Sequence, residues 1–195
     1  MAVEAKICGL TRPEDAAAAA EHGATYLGVV FASGPRMVTP ARALTIVAAA
    51  RGVPVLGVFG SQTVDEILDT AATARLAGAQ LHGDYSGADA ARLRAAGLKV
   101  WRVVRIAAVS DLDRLEVAAT DADAVLVEPR VAHAAGGAGV ALALSVACQA
   151  RARLAGRRMV LAGGLTPVGV AGAVALVRPD VVDVSSGVEH LPGIK

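Results

Sequence analysis

A chain of 195 residues with a formal net charge of +1, no basic cluster and no acidic tail offers nothing that a nucleic acid or an anionic membrane would seek. Apolar residues make up 54% of it, yet much of that is alanine and valine broken by charged residues and glycines. No run is long or pure enough to span a bilayer, and the first residues lack the charged-then-apolar order of a secretion signal, which predicts a cytoplasmic location. The two cysteines, Cys8 and Cys148, stand at opposite ends without a CxxC or Cys/His spacing, which argues against a zinc site and against a disulfide framework.

In chain order, brief Val/Ile/Leu-rich runs alternate with longer alanine-rich segments, the pattern of strand–helix units around a parallel sheet buried on both faces. Strands are predicted at Ala5–Cys8, Tyr26–Phe31, Val55–Phe59, Ala79–His82, Val100–Ile106, Ala124–Glu128, Met159–Ala162 and Val181–Val184. Helices are predicted at Pro13–His22, Pro40–Ala50, Val64–Leu76, Gly87–Ala96, Ala141–Leu154 and Val168–Val177. Thr11-Arg-Pro-Glu14 and Thr63-Val-Asp-Glu66 read as capping boxes, and Thr39-Pro40 as an N-cap before a first-turn proline. Ala107–Ala119 carries only a weak helical pattern, and no room remains for a full helix after the last strand.

No linker or composition shift divides the chain, so residues 1–195 are expected to form a single compact α/β domain. Eight units favour a closed (β/α)8 TIM barrel over an open flavodoxin-like sheet, although such barrels usually run to about 250 residues. The expected barrel therefore has a weak or absent helix 5 and no full helix 8. Apolar residues left uncovered there permit either a monomer or a homodimer.

In such a barrel, chemistry gathers at the C-terminal ends of the strands. The polar residues placed there are Cys8, Ser33, Arg36, His82, Arg105, Glu128, the Gly136-Gly-Ala-Gly139 loop, Gly163-Gly164, and Asp183 with Ser185-Ser186-Gly187. Met159-Val-Leu-Ala-Gly-Gly-Leu165 and Val181-Val-Asp-Val-Ser-Ser-Gly-Val188 both end an apolar run in small residues, whose bare amides form a concave donor surface suited to phosphate. Gly163, Gly164, Ser185, Ser186 and Gly187 are the candidate phosphate contacts.

Lys6-Ile-Cys-Gly-Leu-Thr11 with Glu14-Asp-Ala16, Phe31 through Ser33-Gly-Pro-Arg36, Gln80-Leu-His-Gly83, Leu161-Ala-Gly-Gly-Leu165 and Asp183-Val-Ser-Ser-Gly-Val-Glu189 with Pro192-Gly193 together resemble the phosphoribosylanthranilate isomerase family of tryptophan biosynthesis. The matches run in order over nearly the whole chain. The resemblance implies an Amadori rearrangement of N-(5-phosphoribosyl)anthranilate to 1-(2-carboxyphenylamino)-1-deoxyribulose 5-phosphate, with a general acid for the furanose oxygen, a base for the C2′ proton, and neither metal nor cofactor.

It further implies Cys8 as the base, provided that nearby positive charge or amide dipoles lower its pKa. The aspartate that serves the family as general acid at the end of the sixth strand is replaced by Glu128, one methylene longer; a displacement of about an ångström can cost on the order of 10²-fold in rate, and a surface or pairing carboxylate is the alternative. By the same resemblance Arg36 would hold the anthranilate carboxylate and Asp183 the sugar hydroxyls; a carboxylate bracing the Ser185-Ser186 loop is the alternative for Asp183. His82 would line the pocket, without necessarily titrating, while His22, His133 and His190 show no comparable placement. The family's Gly-Gly-Thr-Gly loop appears here as Gly136–Gly139, without the hydroxyl. Two rival readings are a phosphosugar-binding barrel with reduced or lost catalysis and an isomerase of a related aminoaldose phosphate from histidine biosynthesis.

Overall fold

The computed structural model describes residues 2–130 and 142–195, in which eight parallel strands close into a barrel, each paired with the next and the last with the first. They are β1 (Glu4–Ile7), β2 (Tyr26–Val30), β3 (Val55–Phe59), β4 (Gly78–Leu81), β5 (Lys99–Ile106), β6 (Ala124–Pro129), β7 (Met159–Ala162) and β8 (Val181–Val184). Around them lie α1 (Pro13–Glu21), α2 (Pro40–Ala49), α3 (Val64–Ala74), α4 (Gly87–Ala95), α5 (Arg114–Thr120), α6 (Leu144–Arg153) and α7 (Val170–Val177). The expected closed (β/α)8 architecture is thus the one observed.

Side chains alternate across a strand, so register decides which residues share the barrel interior. Lys6 pairs with Tyr26 on one side and Asp183 on the other, Gln80 with Trp101, and Arg105 with Glu128. These positions therefore lie on one side of the sheet together with Leu56, Ala124, Leu126, Val160, Ala162 and Val181, which form the inner core with Trp101. Tyr26 meets Trp101 edge-on, with ring centroids 5.0 Å apart. The opposite parity packs outward: Leu27, Val29, Phe59 and Leu81 with Ile46, Ile67 and Leu93, and Val125, Val127 and Leu161 with Leu115, Ala147 and Val177.

Local chemistry explains where several helices begin. Thr39 accepts from the Arg42 N–H ahead of α2, and Thr63 and Glu66 form the expected capping box at α3. A second box, Ser86 with Asp89, opens α4 and was not among the expected signals. Thr11 does not cap α1: the N-cap is Arg12, whose guanidinium pairs with Asp15, while the Thr11 hydroxyl donates to the Gly193 carbonyl at 2.6 Å. Its hydroxyl proton is donated to the far end of the chain, and α1 begins one residue later than a Thr11 cap would require.

Helix 5 is weak rather than absent. The Asp111 carboxylate accepts from the Ala107 and Ala108 N–H groups and winds Val109–Asp113 into a 3-10 turn, leaving seven residues for α5. After β8 there is a 3-10 turn at Ser186–Val188, and the following residues lie against the β1–α1 loop through Thr11 and against α1 through the Lys195 N–H, which donates to Asp15. No α-helix forms in residues 185–195, and Leu191 stays exposed.

Trp101 fills the inner core beneath Lys6, whose ammonium stands 5.7 Å from the ring. Truncation to alanine leaves a cavity that facing strands cannot close, so Trp101→Ala is expected to cost about 3–5 kcal/mol in urea unfolding.

Candidate active site

The N-terminal half of the site is built on β1. Lys6 and Cys8, two residues apart, project from the same side, and the Cys8 N–H is held by the Val184 carbonyl of β8 at 2.9 Å. The Lys6 ammonium is fully buried and 3.0 Å from the Asp183 carboxylate. Gly28 on neighbouring β2 makes the space: a Cβ there would stand 2.8 Å from the Cys8 sulfur and 3.1 Å from the Lys6 Nζ. Burial works against the Lys6 charge, yet Asp183 and Cys8 outweigh it and hold its pKa above the usual lysine value.

The thiol departs from expectation. Burial first, then the Asp183 charge, push Cys8 above its ordinary pKa, and Lys6 and Lys195 only partly offset them. Positive charge is present, as the base assignment requires, but the desolvation of the site is the larger influence.

Glu128, at the end of β6, lies three strands from β1 around the ring, with β7 and β8 between them. It is buried, and Oε1 receives the Arg105 Nε at 3.1 Å. Burial raises its pKa, with Arg105 opposing, so the proton is retained to higher pH than on a solvated glutamate. His82 sits beside it at the end of β4, its Nδ1 3.5 Å from Oε1 and 3.0 Å from an Arg105 terminal nitrogen. Burial and then the Arg105 and Lys6 charges push His82 down to about 3, so the ring is neutral and lines the wall without titrating near neutrality.

Arg36 is not a solvated arginine. Its Nε and one terminal nitrogen grip Glu189 at 2.8 and 2.7 Å, and Glu189 also accepts from Lys195 Nζ at 2.8 Å and the Gly193 N–H at 3.1 Å. Burial raises the Glu189 pKa, but these donors prevail and hold it at about 2. One edge of the guanidinium is committed to this carboxylate, and the end-on edge remains to meet another planar anion. Lys195 also donates to the Ser185 carbonyl at 3.0 Å, tying the network to the loop after β8.

The two glycine turns lie side by side. A Cβ on Gly187 would collide with the Leu165 carbonyl, so only glycine lets the β7 and β8 loops approach this closely. The N–H groups of Gly163, Gly164, Ser185, Ser186 and Gly187 donate to no other backbone group among the described residues. Backbone amides without a backbone partner on two adjacent turns can hold a phosphate monoester.

The rim thus brings Cys8, Glu128, His82, Asp183, Arg36 and the two turns to one end of the barrel. Asp183 pairs with Lys6 rather than bracing the Ser185-Ser186 loop. Gly136–Gly139 and His133 lie outside the described residues. Lys6, Glu189, Lys195 and Gln80 belong to the site although no sequence argument assigned them to it. For Lys6 a signal existed: a lysine two positions before the candidate base must share its side of the strand. Cys148 lies on α6, away from the rim.

Because Asp183 raises the Cys8 pKa and Lys6 lowers it, substitutions of the pair should move it in opposite directions. Iodoacetamide alkylation of the Cys8 peptide, followed against pH by mass spectrometry, is expected to inflect at lower pH in Asp183→Asn and at higher pH in Lys6→Met than in the unsubstituted protein.

The profile of the N-(5'phosphoribosyl)anthranilate (PRA) isomerase family matches residues 5–195. The N-(5'-phosphoribosyl)anthranilate isomerase of Magnetococcus marinus is 40% identical, over 100% of this chain and 90% of its own length, and that of Paramagnetospirillum magneticum is 42% identical, over 100% and 92%. Phosphoribosyl anthranilate isomerase from Thermotoga maritima superposes with a TM-score of 0.89 at 33% identity, covering 100% of this chain and 93% of that one. A phosphoribosyl anthranilate isomerase solved with reduced 1-(o-carboxyphenylamino)-1-deoxyribulose 5-phosphate superposes at 0.86 with 32% identity, over 100% and 92%. With the family profile matching residues 5–195, relatives about 40% identical over the whole chain and solved members superposing on the whole barrel, the chain belongs to the N-(5'-phosphoribosyl)anthranilate isomerase family.

Proposed function

We propose that this chain isomerises N-(5-phosphoribosyl)anthranilate to 1-(2-carboxyphenylamino)-1-deoxyribulose 5-phosphate in L-tryptophan biosynthesis, with Cys8 as general base and Glu128 as general acid. The observation that carries the reading is the order of groups around the rim: the β7 and β8 turns, with their free amides, lie between the strand bearing the thiol and the strand bearing the carboxyl. A sugar anchored there by its phosphate has a base on one flank and an acid on the other.

In the reaction Glu128 delivers its proton to the furanose oxygen as the C1′–O bond breaks and the anilino nitrogen forms the imine. Cys8, as thiolate, takes the C2′ proton, and the electrons left behind give the enolamine. Ketonisation places a proton on C1′ and releases the one on the C2′ oxygen, so proton and electron counts close without an external oxidant or reductant. Lys6 stabilises the thiolate. Arg36 meets the anthranilate carboxylate with its end-on edge, Asp183 the sugar hydroxyls, and the amides of Gly163, Gly164, Ser185, Ser186 and Gly187 the phosphate. His82 forms the wall behind Glu128. A single barrel domain suffices for this, acting as a monomer or homodimer in the cytoplasm; the absence of any helix long and apolar enough to cross a membrane among the described residues is consistent with that placement.

The test is a fluorescence assay on freshly made phosphoribosylanthranilate. Turnover by the unsubstituted protein, abolished in Cys8→Ala and lowered by roughly 10²- to 10⁴-fold in Glu128→Ala, is expected for general base and acid roles. Binding without turnover in the unsubstituted protein would instead favour a phosphosugar-binding barrel that has lost catalysis.

A further inference from the structure

The tips of β4, β5 and β6 carry a linked set of side chains. The Gln80 amide stands 2.7 Å from His82 Nε2, an Arg105 terminal nitrogen 3.0 Å from His82 Nδ1, and the Arg105 Nε 3.1 Å from Glu128 Oε1. Arg105 and Glu128 are also register partners across β5 and β6, so the sheet itself sets their contact.

A guanidinium can only donate, so Nδ1 of the neutral ring accepts and the ring proton resides on Nε2. That proton needs an acceptor. The Gln80 amide oxygen, buried and without a partner, supplies one when the amide is turned to present it. His82 is then fixed in one tautomer and has no proton to offer Glu128. Among the described residues, Arg105 is left as the hydrogen-bond donor to Oε1, and Oε2 has no partner.

We infer that Arg105 is the positioning residue of the acid: by holding Oε1 it aims Oε2, with the proton that oxygen carries, at the sugar ring oxygen, and it absorbs sideways the extra methylene of glutamate. The inference rests on Glu128 being the acid. The charged and titratable groups that face Glu128 are Arg105 from β5, His82 from the end of β4, Asp183 from β8 and Lys6 from β1. Arg105 makes the hydrogen bond among them. Its removal is expected to leave only the smaller Lys6 contribution against burial, and hence to raise the pH at which Glu128 gives up its proton.

The experiment combines steady-state kinetics with ¹³C NMR titration of the Glu128 carboxyl, its resonance identified by its loss in Glu128→Gln. Arg105→Gln should lower kcat by roughly 10- to 100-fold with KM within about twofold, and shift the carboxyl titration to higher pH. Arg105→Lys, which keeps the charge but cannot span His82 and Glu128 together, should bring the titration back toward the unsubstituted value and restore kcat only in part. Wild-type kcat in Arg105→Gln, or a loss of kcat with an unmoved titration, would overturn the role of Arg105. Wild-type kcat in Glu128→Gln would overturn the acid assignment, and this inference with it, so the two failures are distinct.

Discussion

A fully buried ammonium, Lys6, facing a buried carboxylate, Asp183, at 3.0 Å is the interaction on which the site depends. Either charge alone in the barrel mouth would carry a desolvation penalty of several kcal/mol, and removing one partner strands the other. The two are register partners on β1 and β8, where the barrel closes on itself. Closure of the sheet and the electrostatics around Cys8 therefore share one contact. The lysine that lowers the Cys8 pKa is held in place by an aspartate that, through its own charge, raises it.

The same economy runs around the rim. Each carboxylate facing the mouth is met by a cation from another strand or loop: Asp183 by Lys6, Glu128 by Arg105, and Glu189 by Arg36 and Lys195. The side-chain cations of the mouth are thus largely engaged, and the donors left for a phosphate are backbone amides of the two glycine turns. Amides suit that task, since their dipoles are fixed by the fold and need no counter-charge.

Much of this was legible in the sequence because it depends on local pattern. Strand limits predicted from apolar runs fall within a residue of those observed, and Thr39 and Thr63 cap α2 and α3 as their spacing requires. Cys8, His82, Glu128 and Asp183 group together because each falls at or next to the C-terminal end of a predicted strand. What escaped was whatever depended on distant partners. Thr11 carries the local signature of a capping box, but α1 starts with Arg12 as its N-cap and the Thr11 hydroxyl is oriented by donating to the Gly193 carbonyl, 182 residues away. Arg36 is assigned by resemblance to a substrate carboxylate, and its carboxylate partner within the chain, Glu189, arrives from beyond β8. The direction of the Cys8 pKa turns on how deeply the mouth is desolvated, a property of the closed barrel and of no single segment.

In the proposed reaction one sugar spans these groups, phosphate on the β7 and β8 amides, thiol on one flank and carboxyl on the other. Its most direct test is a crystal structure of this protein with reduced 1-(o-carboxyphenylamino)-1-deoxyribulose 5-phosphate bound. The phosphate should lie against the Gly164 and Ser186 turns, with C2′ beside the Cys8 sulfur and the hydroxyl derived from the ring oxygen within hydrogen-bonding reach of Glu128. An analogue whose phosphate lies away from those turns, or whose C2′ faces away from Cys8, would contradict it.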